Sequence, residues 1–256
     1  MTTITTSPAD PFTYGGPGGK QRMIPDEHTG KPWPYARVST VASTLDDKAS
    51  LGYWQAWMAL RGTQAEGGGD MMARALHAQR TPRGTISDLI DMGGGSEARE
   101  RGTRRHSLLA MALTGADLAL MPPEAHKELD AVLQLVHSLG EVVAVEAATV
   151  NDAMRTAGSV DLILRAPDGQ IIVADFKTGN HAPILSTGIQ TYLHASGRYW
   201  VDGARGDWVS PRRPRLVMLH APQDGSPPQA VDIDTDKAKD WAQLAVAVRL
   251  ARKEAR

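Results

Sequence analysis

The sequence predicts a mixed α/β protein: a central, mostly antiparallel sheet flanked by helices and preceded by an N-terminal helical region. Three observations carry this. Between Thr44 and Leu139 the apolar residues recur mostly at helical spacing. From Glu141 onward the character changes, with Val142, Val143, Val145 and Val150 supplying β-branched residues that suit a pleated surface. Pro167-Asp168-Gly169 then separates two apolar runs, and Asp-Gly supplies the positive φ angles of a tight hairpin turn.

The 256 residues suffice for one substantial domain with appendages. A hydrophobic share of 41% and a charged share of 22% are those of a globular chain. With 28 basic and 29 acidic residues the net charge is -1, so any affinity for a polyanion must come from a local patch. There is no cysteine, which excludes disulfides, thiolate chemistry and cysteine-ligated zinc or iron–sulfur clusters, and fits an intracellular, cytoplasmic protein. Met1 to Phe12 shows no basic start followed by an apolar run, and nowhere do eighteen apolar residues follow one another, so neither secretion nor a membrane partner is expected.

Three regions are expected: a flexible arm over 1–34, a helical subdomain over 35–100 and a mixed α/β core over 101–256. The arm is rich in Gly, Pro and Thr and has no apolar period. A helix follows, with Ser43 or Thr44 as N-cap, a stripe of Leu51, Trp54, Met58 and Leu60, and an end at Gly62. Met71 to His77 and Ile86 to Met92 read as short helices between glycine clusters, Gly102 to Leu113 as a stronger one, and Pro122 or Pro123 to Leu139 as its partner, ended by Gly140. Strands are expected from Glu141, over Ser159–Arg165 and over Gln170–Phe176. Then come a helix over Ile184–Tyr199, strands over Arg215–His220 and Ala230–Ile233, and a last helix over Thr235–Lys253 in which Trp241 is an anchor.

The apolar run Ile171-Ile172-Val173-Ala174 is broken by Asp175, and Lys177 returns to the same face two residues later. Asp161 stands between Val160 and Leu162, and Glu146 between Val145 and Ala147. Charges beside a strand core are costly unless paired, solvated or bound to a metal. An isolated D-x-K is most often a structural ion pair; here it follows a second acidic strand across a hairpin. Phosphodiester hydrolysis needs a divalent cation, an activated water and stabilisation of developing negative charge. Two aspartates and a lysine supply those needs, and carboxylates are hard ligands suited to magnesium or manganese.

Gly158 to Asp161, Asp175 to Lys177, Gln190 to His194 and, upstream, Gly102 to His106 together resemble the RecB-like branch of the PD-(D/E)XK nucleases, which includes CRISPR-associated exonucleases and phage-encoded relatives. In that branch a helix carries a histidine, one strand G-x-x-D, the next D-x-K, and a helix Q-x-x-x-Y. The similarity covers roughly His106 to Trp200. It implies a restriction-endonuclease-like core, with His106, Asp161 and Asp175 ligating Mg2+ or Mn2+, Lys177 assisting catalysis, and Gln190 orienting the site or the nucleic acid. His194 stands where the branch has tyrosine, with Tyr192 nearby. The cysteines of the iron–sulfur members are missing. Arg37 to Thr40, Leu45 to Lys48 and Trp54 also look like the leading region of actinobacteriophage members.

The resemblance implies a DNA exonuclease of phage recombination or replication, with DNA and a recombination or replication protein as partners, and it admits a homo-oligomer. A nuclease fold retained as a DNA-binding or structural phage component is the alternative, and RNA as substrate stays open. Glu146 either ligates a second metal ion or caps the sheet edge. Arg101, Arg104, Arg105 and Lys177 form a candidate phosphate-binding rim, with Arg212, Arg213 and Arg215 as a weaker second patch, and Gln190, Tyr192 and His194 are further candidate contacts to nucleic acid. Trp54 and Trp57 read as core or interface residues. Gly15 to Lys20 lacks the spacing and preceding strand of a phosphate loop, and no zinc-protease, serine-hydrolase or dinucleotide motif occurs.

Overall fold

The computed structural model describes residues 4–5, 12–15, 21–46, 49–77, 83–115, 123–179, 181–201, 204–206 and 213–255. It divides into two compact units, Met1–Asp46 with Leu108–Arg256, and Asp47–Ser107. The helical unit is thus shifted from the expected 35–100, and much of the expected arm belongs to the larger unit.

The smaller unit holds α2 (Ala49–Thr63), α3 (Gly68–His77), α4 (Arg83–Met92) and the first part of α5 (Gly95–Leu113). It packs through glycine. A Cβ on Gly62 would lie 1.9 Å from the Leu89 carbonyl oxygen, and one on Gly93 would lie 2.0 Å from that of Met58, so α2 and α4 touch backbone to backbone. Met58, Leu89 and Ile90 are buried around this contact. The expected stripe is buried in part: Met58 is buried and Trp54 half-buried, but Leu51 and Leu60 are exposed and Trp57 is 59% exposed, because apolar residues surround α2 rather than line one side. Ser43 closes the short helix α1 (Val38–Ala42) instead of capping α2.

In the larger unit the chain opens with β1 (Ile4–Thr5), β2 (Thr13–Gly15), β3 (Gln21–Pro25) and β4 (Pro32–Arg37). The expected arm is therefore partly strand. Arg22 and Ile24 are buried and Tyr35 is buried opposite Arg22, a period of two that the prolines conceal. Pro32 and Pro34 are tolerated because β4 pairs with β3 along this stretch and, among the described residues, meets a second strand only at Ala36 and Arg37.

After α5 come α6 (Pro123–Leu139), β5 (Glu141–Asn151), β6 (Thr156–Arg165), β7 (Ile171–Lys177), α7 (Ile184–Ala195), β8 (Arg198–Val201), β9 (Ala204–Gly206), β10 (Arg215–His220), β11 (Gln229–Ile233) and α8 (Thr235–Glu254). The strands lie in the order β11-β10-β7-β6-β4-β3-β2, with β5 on the other edge of β6, and most pairs are antiparallel. The fold is the mixed α/β architecture expected.

The turn forms at the expected place, although only Gly169 takes a positive φ, of 84, while the Asp168 carboxylate accepts from the Gln170 N–H. The helix expected to reach Tyr199 stops at Ala195. There the Ser196 hydroxyl donates to the Tyr192 carbonyl at 2.7 Å, and Arg198 and Tyr199 turn to pair with Val150 and Thr149. Asp234 caps α8 by accepting from the N–H groups of Asp236 and Lys237.

Helices cover both faces of the sheet. Leu109, Leu129, Val132 and Val136 pack on Leu162, Leu164, Ile172, Ala174, Val217 and Leu219. On the opposite face Ala238, Tyr192 and Trp241 pack on Ile163, Ile171, Val173, Leu216 and Met218. Each aliphatic side chain so buried contributes about 1.5–3 kcal/mol. Strand β7, covered on both faces, therefore reads as a nearly continuous apolar run, and Asp175 is its buried exception.

Two glycines of α2 separate the packing argument from helix propensity. Nothing lies within 4 Å of a Cβ at Gly52, whereas Gly62 has no room for one. Gly52→Ala is expected to raise stability by about 0.5–1 kcal/mol, and Gly62→Ala to lower it by about 1–3 kcal/mol or more. Thermal melting of the two variants, with loss or gain confined to the wrong member of the pair, checks the backbone contact.

Candidate active site

The site grows from a fork in the sheet. Strand β6 is paired along its whole length with β5 on one edge. On the other edge β7 covers Leu162 to Arg165 and β4 covers Thr156 and Ala157. Gly158 to Asp161 lie between, without a strand partner on that edge among the described residues. Backbone donors near such a fork are open to side chains, and the Asp161 carboxylate accepts the Phe176 N–H at 2.8 Å.

The register brings the acidic residues to one level. Val145 pairs with Leu162 and Ala147 with Val160, which sets Glu146 opposite Asp161. Leu162 pairs with Ala174, and the same register continued by one residue sets Asp161 opposite Asp175. Glu146 has φ 51, a left-handed conformation that a non-glycine residue adopts at a cost of about 1–3 kcal/mol. On either side of it the strand changes face: Val145 packs in the cluster under α6, and Ala147 in the cluster under α7 and α8. Val160 and Leu162 divide in the same way. In a regular strand residues two apart share a face, so the backbone twists sharply at the level of the two carboxylates. Such kinks beside a site re-aim side chains.

The electrostatics follow from this crowding. Asp175 is buried, and its Oδ2 lies 2.6 Å from the Lys177 Nζ. Burial pushes the Lys177 ammonium down, but the carboxylates of Asp175, Asp161 and Asp46 outweigh it and the net shift is upward. Lys177 is consequently a fixed cation and no general base. Asp161 is pushed up to about 6, by burial first and then by the negative charge of Glu146, with Lys177 and the Phe176 N–H opposing. Desolvation and then Asp175 raise Glu146 as well. Carboxylates that lift one another's proton affinity in this way are relieved by a nearby cation.

The donor set suits a hard cation in part. Asp161 and Asp175 supply carboxylate oxygens, and magnesium is commonly held by one or two carboxylates, its remaining positions filled by water and substrate phosphate. Among the described residues, however, no group of three or more His, Asp or Glu side chains is gathered closely enough to hold a metal by itself.

The remaining expected residues separate. The Gly158 that opens G-x-x-D is a packing position: a Cβ there would lie 3.0 Å from His194 Cε1 and 3.1 Å from Val38 Cβ. His194 itself is 1% exposed, so it belongs to the core and cannot meet nucleic acid directly, which corrects the expected role. Its Nδ1 is 2.6 Å from the Thr149 hydroxyl. Burial and then the charges of Arg22 and Lys177 push it down to about 3, so it is neutral. Tyr192 is half-buried in the apolar clusters, and Gln190 is half-buried on α7. His106, Arg104 and Arg105 lie on α5 within the unit Asp47–Ser107, whereas the carboxylate cluster is built by the larger unit alone. In the second basic patch, Arg213 pairs with Asp236 and Arg215 with Asp232, so those charges are neutralised; Arg212 falls outside the described residues.

Sequence reasoning missed two neighbours. Asp46 acts on Lys177 from the loop after α1. His220 pairs with Lys177 across β10 and β7, and its Nε2 lies 2.7 Å from the Gly179 carbonyl oxygen. Neither carries a local motif; only the parallel pairing and the loop path bring them near. No protein-family model matches the chain, and no curated protein matches it. Among the described residues no helix is long and apolar enough to cross a membrane.

A raised carboxyl stabilises the folded state below the unfolded pKa, and that contribution is lost as pH rises through the folded one. For Asp161 the window runs from the ordinary 3.8 to about 6. Asp161→Asn is therefore expected to be more stable than the parent by about 1–3 kcal/mol at about pH 8 in the presence of chelator. Urea unfolding against pH reads this directly; a variant less stable at high pH would show that the carboxylate is not crowded.

Proposed function

We propose that the chain is a divalent-metal-dependent nuclease that hydrolyses phosphodiester bonds of DNA, of the RecB-like PD-(D/E)XK type. One observation carries the reading: Glu146, Asp161 and Asp175 lie at one level on three adjacent strands, with the protonated Lys177 against Asp175. Burial and mutual repulsion raise the proton affinity of Asp161, and a buried pair such as Asp175 and Lys177 is weak evidence for stability, so a role in chemistry accounts for these charges better than structure alone.

A magnesium or manganese ion held there supplies polarisation of a phosphate oxygen and a more acidic water. Asp161 and Asp175 would hold it through hard oxygen donors. The hydrogen bond from the Phe176 N–H fixes the rotamer of Asp161, so the carboxylate is already oriented before substrate arrives. Lys177, kept cationic by three carboxylates, faces developing negative charge on the phosphate; it gives up no proton. Exonucleolytic action on DNA ends in phage recombination or replication is the form of this activity that the family resemblance suggests.

A second reading has a specific observation behind it. The lack of a three-residue ligand group among the described residues favours a nuclease fold used for binding or structure, with hydrolysis lost. The two readings separate in one assay, in which end-labelled linear DNA and circular DNA are incubated with magnesium, manganese or chelator. The nuclease reading predicts metal-dependent loss of linear DNA, slowed by at least about a hundredfold in Asp175→Asn and Lys177→Ala. Melting curves of both variants guard against misfolding. Intact DNA that is still bound supports the second reading, and cleavage that survives both substitutions contradicts the first.

A further inference from the structure

In the larger unit two exposed guanidiniums lie over aromatic rings, whereas several other arginines pair with carboxylates. Arg198 pairs with Glu27 and Asp152, Arg205 with Asp152, Arg213 with Asp236, Arg215 with Asp232, and Arg165 with Glu141. Arg37 lies over the Tyr14 ring at 5.5 Å from its centroid, and Arg155 over the Trp33 ring at 4.5 Å. Among the described residues neither Arg37 nor Arg155 forms an ion pair, so both charges remain uncompensated. The rings are accessible despite the stacking: Tyr14 is 37% exposed and Trp33 45%.

Strand pairing places these groups together. Tyr14 is opposite Arg22 and Arg22 opposite Tyr35, a row across β2, β3 and β4. Trp33 and Arg37 flank Tyr35 at alternate positions and so share its face. Arg155 comes from the turn between β5 and β6, where it adopts φ 47, a conformation that glycine or asparagine holds at less cost. That turn is firmly tied down. The Asp152 carboxylate accepts from the Tyr35 hydroxyl at 2.6 Å and from the Arg205 Nε at 2.9 Å, and the Arg155 carbonyl accepts the Ala36 N–H at 2.9 Å. A strained arginine on an anchored turn, laid over an exposed tryptophan, is a costly way to solvate a surface.

We infer that the face formed by Tyr14, Trp33, Arg37 and Arg155 binds an unpaired strand of DNA, bases stacking on the two rings and phosphates meeting the two guanidiniums. The occupant is set by chemistry. Uncompensated cations call for an anion, and exposed flat rings beside them call for a ligand with its own π faces, which single-stranded nucleic acid presents and a blunt duplex hides. The position fits the site already described, and the inference rests on that reading. Arg37 pairs with Ala157, and from Ala157 along β6 to Asp161 is about 13 Å at the usual rise per residue. A strand held on the two rings can thus run a few nucleotides onward to the carboxylates. The substrate class this points to is a DNA end with an unpaired tail.

The test measures binding without cleavage. Fluorescently labelled oligothymidylate and a blunt duplex of equal length are titrated with the full chain in chelator, by anisotropy, at several salt concentrations. Tighter binding of the oligothymidylate is expected, weakened about tenfold by Tyr14→Ala and by Trp33→Ala. Arg37→Ala and Arg155→Ala are expected each to reduce the salt slope by about 0.7, as for one lost phosphate contact on a single strand. Unchanged melting temperatures show that these exposed substitutions leave the fold intact. Equal or tighter binding of the duplex, absence of binding, or variants that bind like the parent would each overturn the inference. Because no metal is present, loss of the nuclease reading would leave this result standing, and the reverse holds too.

Discussion

A carboxylate in the middle of a strand covered on both faces has to be answered by an opposite charge, and the sheet is built around that requirement. Asp175 sits between Ala174 and Phe176, both buried against α5 and α6, while its own face is roofed by α7 and α8. Desolvating one such ion costs several kcal/mol. Lys177 answers it from two residues along the same strand, and is itself held cationic by Asp161 and Asp46. Removing Lys177 would leave the buried Asp175 carboxylate without its counter-charge.

The surrounding backbone shows the consequences. The fork between β7 and β4 leaves room for Asp161 to reach the Phe176 N–H. The left-handed Glu146 lets β5 change face at the same level, concentrating strain where the carboxylates meet. The polar layer behind them is neutral: His194, kept uncharged by burial, is fastened to Thr149, and Asn151 donates to the Leu193 carbonyl and the Ser196 hydroxyl, pinning the end of α7 to β5. The support beneath the carboxylates is thereby uncharged near neutral pH.

Much of this was legible in the residues. An apolar run interrupted by Asp175 marks a covered strand with a charge to explain, and Asp168-Gly169 fixes the hairpin that sets Asp161 against it. Patterns that depend on partners far along the chain were not. Strands β3 and β4 hide behind Pro32 and Pro34, whose missing N–H groups make sense once β4 is seen to pair there with β3 and, among the described residues, with no second strand. The end of α7 depends on Val150 and Thr149 recruiting Arg198 and Tyr199 into β8, and the glycine at 158 on what lies beneath it. His194 matched a motif position by spacing, yet spacing cannot say whether a helix face looks toward solvent or toward a sheet.

The central claim is that the crowded carboxylates are a cation site. Calorimetric titration of manganese into the metal-free chain at about pH 8, where Asp161 is ionised, measures it without reference to any substrate. Saturable binding that disappears in Asp161→Asn and weakens as pH falls through about 6 is the predicted result. Binding of equal strength in that variant, or none in the parent, would contradict the account.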